Sequence, residues 1–494
     1  LGQESLGIII RQSIKGSIVS FGGVGISAIT ILFFYPWFLS PAEIGLLAFL
    51  ETVAWTFLSF GSLGVFNITD KFFPFFKDQD AKHNGYLVFL LGYLLLGFLL
   101  ALLVLLVFKD FWLSIYAKKA PQALDYFYYI IPFIFSLMYF SLLESYARVH
   151  LRIVVPSFYR DVALRIFILI SVVGYGFDLY GFTGLVILRI GAFFLATLGL
   201  LLYLNHLKIL FLRSPFPFLT KSLLREITQY GFFIVLGGLS NLVISKVDML
   251  MIPAFLGTNE LGVYALAFFM GTIIEVPRKA LGQISTPIIA QAWANKDLEM
   301  IQKIYRGSSL NQWIVGLLIF LLIWLNVDAI FEIIPNGERF IEGKYVILFI
   351  ALTRLVDMIT GVNSEILIQS NYYRFNLVAL ALLAVLNISL NLVLIPTMGI
   401  AGAALATLIA FIVFNLAKGF FIWFKFEIHP FSKNIFGVGL VGGLIYGFVL
   451  LLPSLPIPFL DIAFKSTLIT GLFGVGMLFF KLSPEMSALW KKVL

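Results

Sequence analysis

A chain of 494 residues that is 61% hydrophobic and only 12% charged cannot cover itself with a polar surface, since soluble domains average about 25% charged residues. Its formal charge of +8 does not point to nucleic acid, because the Lys and Arg cluster in short loops between apolar runs and form no basic module interleaved with aromatics. The lack of Cys excludes disulfides, thiolate metal sites and thiol catalysis, and His83, His150, His206 and His429 fall in four separate loops without metal-ligand spacing.

The composition therefore predicts an all-α polytopic membrane protein. At about 20 apolar residues per crossing, 14 transmembrane helices are expected, over 15–38, 43–68, 86–108, 127–148, 161–178, 182–204, 231–256, 260–277, 312–333, 344–366, 375–396, 399–422, 434–452 and 461–482. The N-terminal stretch lacks a small-residue cleavage site after a short apolar core, so it reads as the entry to the first span and not as a removable signal. If the N-terminus is inside, the loop cations fall mainly on one face, from Arg11 and Lys15 through Arg148, Arg160, Arg278, Lys279 and Lys418 to Lys491 and Lys492. Only Lys109, Lys118, Lys119, Arg339, Lys344 and Lys465 fall on the other. Both termini are thus predicted to be cytoplasmic. The cytoplasmic stretch "LEMIQKIYRG" (298–307) alternates apolar and charged residues, which suits either a helix lying in the interface or a linker.

The chain also repeats itself. "PAEIGLLAF" (41–49) matches "TNELGVYAL" (258–266), with Glu43 on Glu260 and Gly45 on Gly262, and "YGFTG" (180–184) matches "MGIAG" (398–402) at nearly the same offset. Six spans separate the copies, an even number, so the halves keep one orientation and form a parallel pseudo-twofold repeat. The expected division is an N-lobe over 1–215, a C-lobe over 216–433, and the last two helices with a cytoplasmic tail over 434–494.

Charges inside spans are the main functional signal, because each costs about 2.5–3.5 kcal/mol at bilayer depth. Pairs one turn apart lower that cost. Glu144 with Arg148, Asp161 with Arg165, Arg354 with Asp357, and Glu275 with Arg278 are expected as such pairs. Glu51 and Arg189 have no partner within a helical turn, which places their counter-ions on other helices. In "SNLVISKVDMLMIP" (240–253), Asn241, Ser245 and Asp248 form one helical stripe and Lys246 lies off it. Lys246 is expected to face a substrate cavity and Asp248 the interior of its own lobe; the reverse assignment is the alternative. No Ser/His/Asp set, metal cluster or nucleotide loop is present, so the expectation is a non-enzyme without cofactor or metal, energised by an ion gradient or by exchange.

The segments "LSPAEIGLLAF" (39–49), "DMLMIPAFLGTNELGVYALAFFMG" (248–271) and "GIAGAALATLIAFIV" (399–413) resemble the polysaccharide-transporter family, the oligosaccharide flippases of the multidrug/oligosaccharidyl-lipid/polysaccharide exporter superfamily. The resemblance implies two six-helix lobes around a central cavity, plus two C-terminal helices. It implies translocation of an undecaprenyl-diphosphate-linked oligosaccharide (an O-antigen, capsule or exopolysaccharide repeat unit) across the bacterial inner membrane by alternating access, as an antiporter coupled to H+ or Na+. The chain would act as a monomer amid membrane lipids, alongside other polysaccharide-assembly proteins. Because the first and eighth helices border the cavity in this family, Arg11, Lys15, Arg278 and Lys279 become candidate diphosphate contacts, with Arg189 and Lys246 as further cavity cations. Glu51, Asp248, Glu275, Arg354 and Asp357 are candidates for an ion or proton relay, or for ion pairs within the lobes. The alternatives are a multidrug-type ion-coupled exporter, a lipid II flippase of cell-wall synthesis and, from another class, a membrane-embedded glycosyltransferase, which the short outer loops disfavour.

Overall fold

The computed structural model describes Val19 and residues 22–78, 82–212 and 219–482, which are helical or irregular with no strand among them. Two compact units divide the chain between Gly262 and Val263. The repeat-based boundary at 215/216 is a division by sequence similarity and lies elsewhere.

The first unit holds α1 (Gly22–Phe38), α2 (Pro41–Gly61), α3 (Val65–Phe76), α4 (Tyr86–Val107), α5 (Lys109–Tyr116), α6 (Ile130–Val149), α7 (Leu164–Gly176), α8 (Phe182–His206), α9 (Lys221–Phe255) and the start of α10 (Thr258–Thr272). Local chemistry sets several of these starts. Ahead of α2, Ser40 accepts from the Glu43 amide at 3.3 Å while its own amide donates to Glu43 Oε2 at 2.8 Å, a reciprocal capping box followed by Pro41 at the first helical position. Thr220 caps α9 by accepting from the Leu223 amide. Helix α2 then packs against α4, α6 and α9, and α6 against α8. Outside this core α4 leaves Leu95, Leu96, Leu99, Leu100 and Leu103 exposed, a continuous apolar face that only lipid accommodates. The chain is a multi-pass membrane protein.

The repeated motif explains two glycines. A Cβ on Gly45 would lie 1.8 Å from the Thr258 carbonyl oxygen, and one on Gly262 would lie 1.8 Å from that of Pro41. The two copies of the motif therefore meet reciprocally, backbone against backbone, and only glycine allows that approach.

The second unit holds the rest of α10, then α11 (Val276–Ala294), α12 (Leu298–Trp324), α13 (Val327–Ile333), α14 (Lys344–Ile359), α15 (Asn363–Gln369), α16 (Tyr373–Phe426), α17 (Lys433–Leu450) and α18 (Pro458–Phe479). Its core joins Leu310, Leu317 and Leu321 of α12, Leu355 and Met358 of α14, Val438 and Ile445 of α17, and Phe473 and Met477 of α18. The amphipathic stretch 298–307 is neither a separate interfacial helix nor a linker. It forms the first turns of α12, with Ile301 and Tyr305 buried against Ile289, Ile366 and Ile422. The 54 residues of α16 would reach about 80 Å if straight, far beyond the ~30 Å of hydrocarbon. Gly399, at φ 61° and ψ −142°, breaks the helix. A Cβ on Gly402 would lie 2.0 Å from the Leu394 carbonyl oxygen, and Thr407 reaches Asn387 at 3.5 Å, so α16 folds back as a hairpin.

Among the described residues, nine helices are long and apolar enough to cross a bilayer, or ten if the bent pair Gly337–Ile359 and Asn363–Gln369 forms one span. Four places account for the difference from the fourteen expected. Of the first span only Val19 and Gly22–Phe38 are described. The fifth is the short Leu164–Gly176, and the seventh, Lys221–Phe255, runs through residues whose side chains lie outside the described ones. The hairpin at Gly399 counts once, although the eleventh and twelfth predicted spans are its two arms.

The Gly45 contact yields a stability prediction. Gly45→Ala inserts a methyl group where backbone already stands and should destabilise the protein by about 1–3 kcal/mol, seen as a lower thermal unfolding midpoint in detergent. Gly443→Ala, at a glycine with open space around it, should leave the midpoint unchanged.

Candidate functional site

Inside the first unit a cavity of about 330 Å³ is lined by α1, α2, α6, the turn leading into α7, and α8. Two of these elements depart from α-helical geometry where they reach it. Tyr35 donates its amide to the Thr30 carbonyl, closing a π-turn over Thr30–Phe34, and Leu164 does the same to Tyr159, closing one over Tyr159–Ala163. Each π-turn places an extra residue on the helix surface, and they contribute Thr30, Ile31, Arg160 and Asp161 to the wall.

Glu51 and Arg189, which have no partner on their own helices, pair with each other. Arg189 donates to Glu51 Oε2 at 2.5 Å through one Nη and to the Tyr35 hydroxyl at 2.5 Å through the other. Arg160 grips Asp161 with Nε and Nη2, both at 2.9 Å, and gives its remaining nitrogen to Glu144. Arg165 donates to the Ser27 hydroxyl. The expected pairing of Glu144 with Arg148 is corrected: Arg148 turns to Asp70 of α3 at 2.9 Å, and Glu144 is taken by Arg160. Likewise Asp161, expected to pair with Arg165, is held by the Arg160 fork. A bidentate guanidinium satisfies a carboxylate better than a single contact one turn away.

Helix α9 borders this region. Lys246 is half-buried, with Nζ 3.8 Å from Met249 Sδ, which also receives the Thr52 hydroxyl at 3.6 Å. Lys246 is close enough to Glu51 to act on it electrostatically. Asp248 is buried, with 4% exposure. The Asn241 side chain lies outside the described residues, as do Arg11 and Lys15 entirely.

The second unit holds a separate charged cluster in which expected partners are exchanged. Arg278 pairs with Asp357 at 2.8 Å and Arg354 with Glu275 at 3.2 Å, so each pair bridges two helical segments instead of one turn of a single helix. Lys279, whose side chain is 69% exposed, reaches Glu275 at 3.6 Å. Nearby, Lys418 is not in a cytoplasmic loop, as its position at the end of a span suggests, but fully buried at 0% exposure. Its Nζ donates to Asn363 Oδ1 and Ser364 Oγ, each at 2.9 Å, and lies 3.9 Å from the Phe414 ring centre. A desolvated ammonium is held there by neutral acceptors and an aromatic face. Sequence reasoning gave no site role to Lys418, Arg160 or Tyr35, and expected Glu144, Asp161 and Arg165 only as ion pairs within their own helices. For Lys418 the signal was Asn415, one turn before it, which accepts from Asn363 at 3.0 Å.

Residues 13–293 match the sequence model of the family described as "Polysaccharide biosynthesis protein". The chain belongs to that family. It falls in the polysaccharide-transporter family of the multidrug/oligosaccharidyl-lipid/polysaccharide exporter superfamily, and residues 234–393 also match the model described as "MatE". Among curated proteins, "Probable low-salt glycan biosynthesis flippase Agl15" of Haloferax volcanii is 23% identical over 228 residues, 45% of this chain and 48% of the relative. The match thus spans about half the length of that relative. Among solved structures, "Lipid II flippase MurJ, inward closed conformation" superposes with a TM-score of 0.77 at 12% identity, over 95% of this chain and 100% of the other. An inward-facing multidrug resistance MATE family transporter follows with a TM-score of 0.66 at 13% identity, over 82% and 94%. At these identities the likeness is one of fold.

The Glu51–Arg189 pair yields a double-mutant prediction. Glu51→Gln and Arg189→Gln should each lower the unfolding midpoint, because each leaves a poorly hydrated charge without its counter-charge. The double variant should lose less than the sum, with a coupling of ~0.5–3 kcal/mol. Additive losses would show that the two side chains do not interact.

Proposed function

We propose that this polysaccharide transporter is a flippase that moves an undecaprenyl-diphosphate-linked oligosaccharide across a bacterial inner membrane by alternating access. Membership of the polysaccharide biosynthesis family over more than half the chain carries this reading. Physical chemistry supports it: a diphosphate cannot cross hydrocarbon bare, and a carrier for it needs polar and cationic groups at membrane depth. The first unit supplies a polar cavity lined by charges of both signs, and the cations for the diphosphate are Lys246 and Lys279, in half-buried and exposed positions outside it. In this reading Arg11, Lys15 and Lys279 meet the diphosphate from the cytoplasmic side. Arg278, already neutralised by Asp357, has a positioning role instead. Fourteen spans, cytoplasmic termini, monomeric action and coupling to H+ or Na+ belong to the same proposal, with Glu51, Asp248, Glu275, Arg354 and Asp357 as the relay candidates.

The test is reconstitution. Liposomes containing the purified protein and a fluorescent undecaprenyl-diphosphate oligosaccharide should move the lipid from one leaflet to the other faster than protein-free liposomes, and an imposed H+ or Na+ gradient should change the rate. A rate equal to that of empty liposomes would overturn the proposal. Transport of lipophilic cations instead would point to the multidrug exporter, and a preference for lipid II to cell-wall synthesis. The Arg11→Gln, Lys15→Gln double variant should bind the carrier more weakly while inserting normally, as read by affinity of the purified protein for undecaprenyl diphosphate.

A further inference from the structure

We propose that the cavity of the first unit is a docking site for a neutral saccharide unit of the transported glycan. The inference rests on the flippase reading and assigns a location and a chemistry to its headgroup. It begins with the charges. Three carboxylates, Glu51, Glu144 and Asp161, and three guanidinium groups, Arg160, Arg165 and Arg189, line one space. Its formal charge is zero, so it holds no net attraction for a phosphate or for a cation. Most of these groups are already spent on one another through the Arg189–Glu51, Arg160–Asp161 and Arg160–Glu144 pairs.

The cavity is dense in donors and acceptors but neutral, and that favours a ligand whose groups both donate and accept. Sugar hydroxyls do both, and a vicinal diol can bridge the two halves of an ion pair. Unused donors remain: Nε of Arg165 and of Arg189 are buried and have no hydrogen-bond partner among the described residues. Trp55, Tyr35, Phe140 and Phe193 add aromatic surface to the same wall, on which the apolar C–H face of a pyranose can lie. The volume of about 330 Å³ is at the lower end of the 300–1,000 Å³ range of small-molecule sites, which suits one or two sugar rings and not a whole repeat unit.

The backbone supplies a second, independent observation. The two π-turns found among the described residues, Thr30–Phe34 and Tyr159–Ala163, both contribute to this cavity. Such turns persist where the extra residue they expose has a use.

The chain has no Cys of its own, so a single introduced thiol reports on one place. In Ser141→Cys the thiol lies in the cavity wall, and in Ser114→Cys it lies on an exposed surface outside it. Both variants, purified in detergent, are labelled with a water-soluble methanethiosulfonate in the presence of cellobiose, N,N′-diacetylchitobiose or undecaprenyl diphosphate. The expected result is that a neutral disaccharide slows labelling of Ser141→Cys, by about threefold at twice its Kd, and leaves Ser114→Cys unchanged. Trp55→Ala in the Ser141→Cys background should remove the protection, while a single symmetric gel-filtration peak and an unchanged unfolding midpoint of that same variant confirm that it is folded. An unreactive Ser141→Cys, protection by neither disaccharide, or protection by undecaprenyl diphosphate alone would overturn the inference. Flipping in liposomes without saccharide protection would sink this site and keep the transporter; protection without flipping would do the reverse.

Discussion

Hydrocarbon supplies neither counter-ion nor hydrogen-bond partner, so a charge carried below the headgroups has to be neutralised by the chain itself. Both units are organised around this constraint. In the first, Arg189 is shared between Glu51 and Tyr35, and Arg160 between Asp161 and Glu144. In the second, Arg278 and Arg354 cross over to Asp357 and Glu275, and Lys465 holds Asp461 at 2.7 Å at the start of α18. Lys418 follows a different solution, two neutral acceptors and an aromatic ring.

Once paired, these charges become a resource. A paired set exposed to a cavity is polar without being strongly charged. Around the first-unit cavity the backbone serves the same end, since two helices give up regular α geometry where they meet it. Elsewhere the chain favours closeness over side chains. Gly45 and Gly262 bring two copies of one motif into backbone contact, and Gly402 seats itself on Leu394 where α16 reverses.

Several of these features were legible in the residues. The motif at 41–49 and its echo at 258–266 identified two glycines that prove to touch. The isolation of Glu51 and Arg189 on their own helices implied partners elsewhere, and they are each other's. Intrahelical pairing was a poorer guide. Glu144 and Arg148 share a face of α6, yet Asp70 and Arg160 lie nearer, and a bidentate partner on another helix outcompetes a flexible contact one turn away. The burial of Lys418 escaped notice because its place at a helix end suggested a loop anchor. The π-turns left no trace in the pattern of residue types, since a single extra residue does not alter apolar periodicity over so short a segment.

By itself, the amino-acid sequence determined that the chain lives in a membrane, that its helices cross many times, which short motifs recur, and to which family it belongs. Those properties follow from composition and local pattern, because insertion depends on how many apolar residues stand in a row. Tertiary structure alone decided which carboxylate meets which guanidinium, where α1 and α7 open by one residue, and that six charges from five elements surround one cavity. Such pairings depend on distances between helices far apart in the chain. Local periodicity carries no information about those distances.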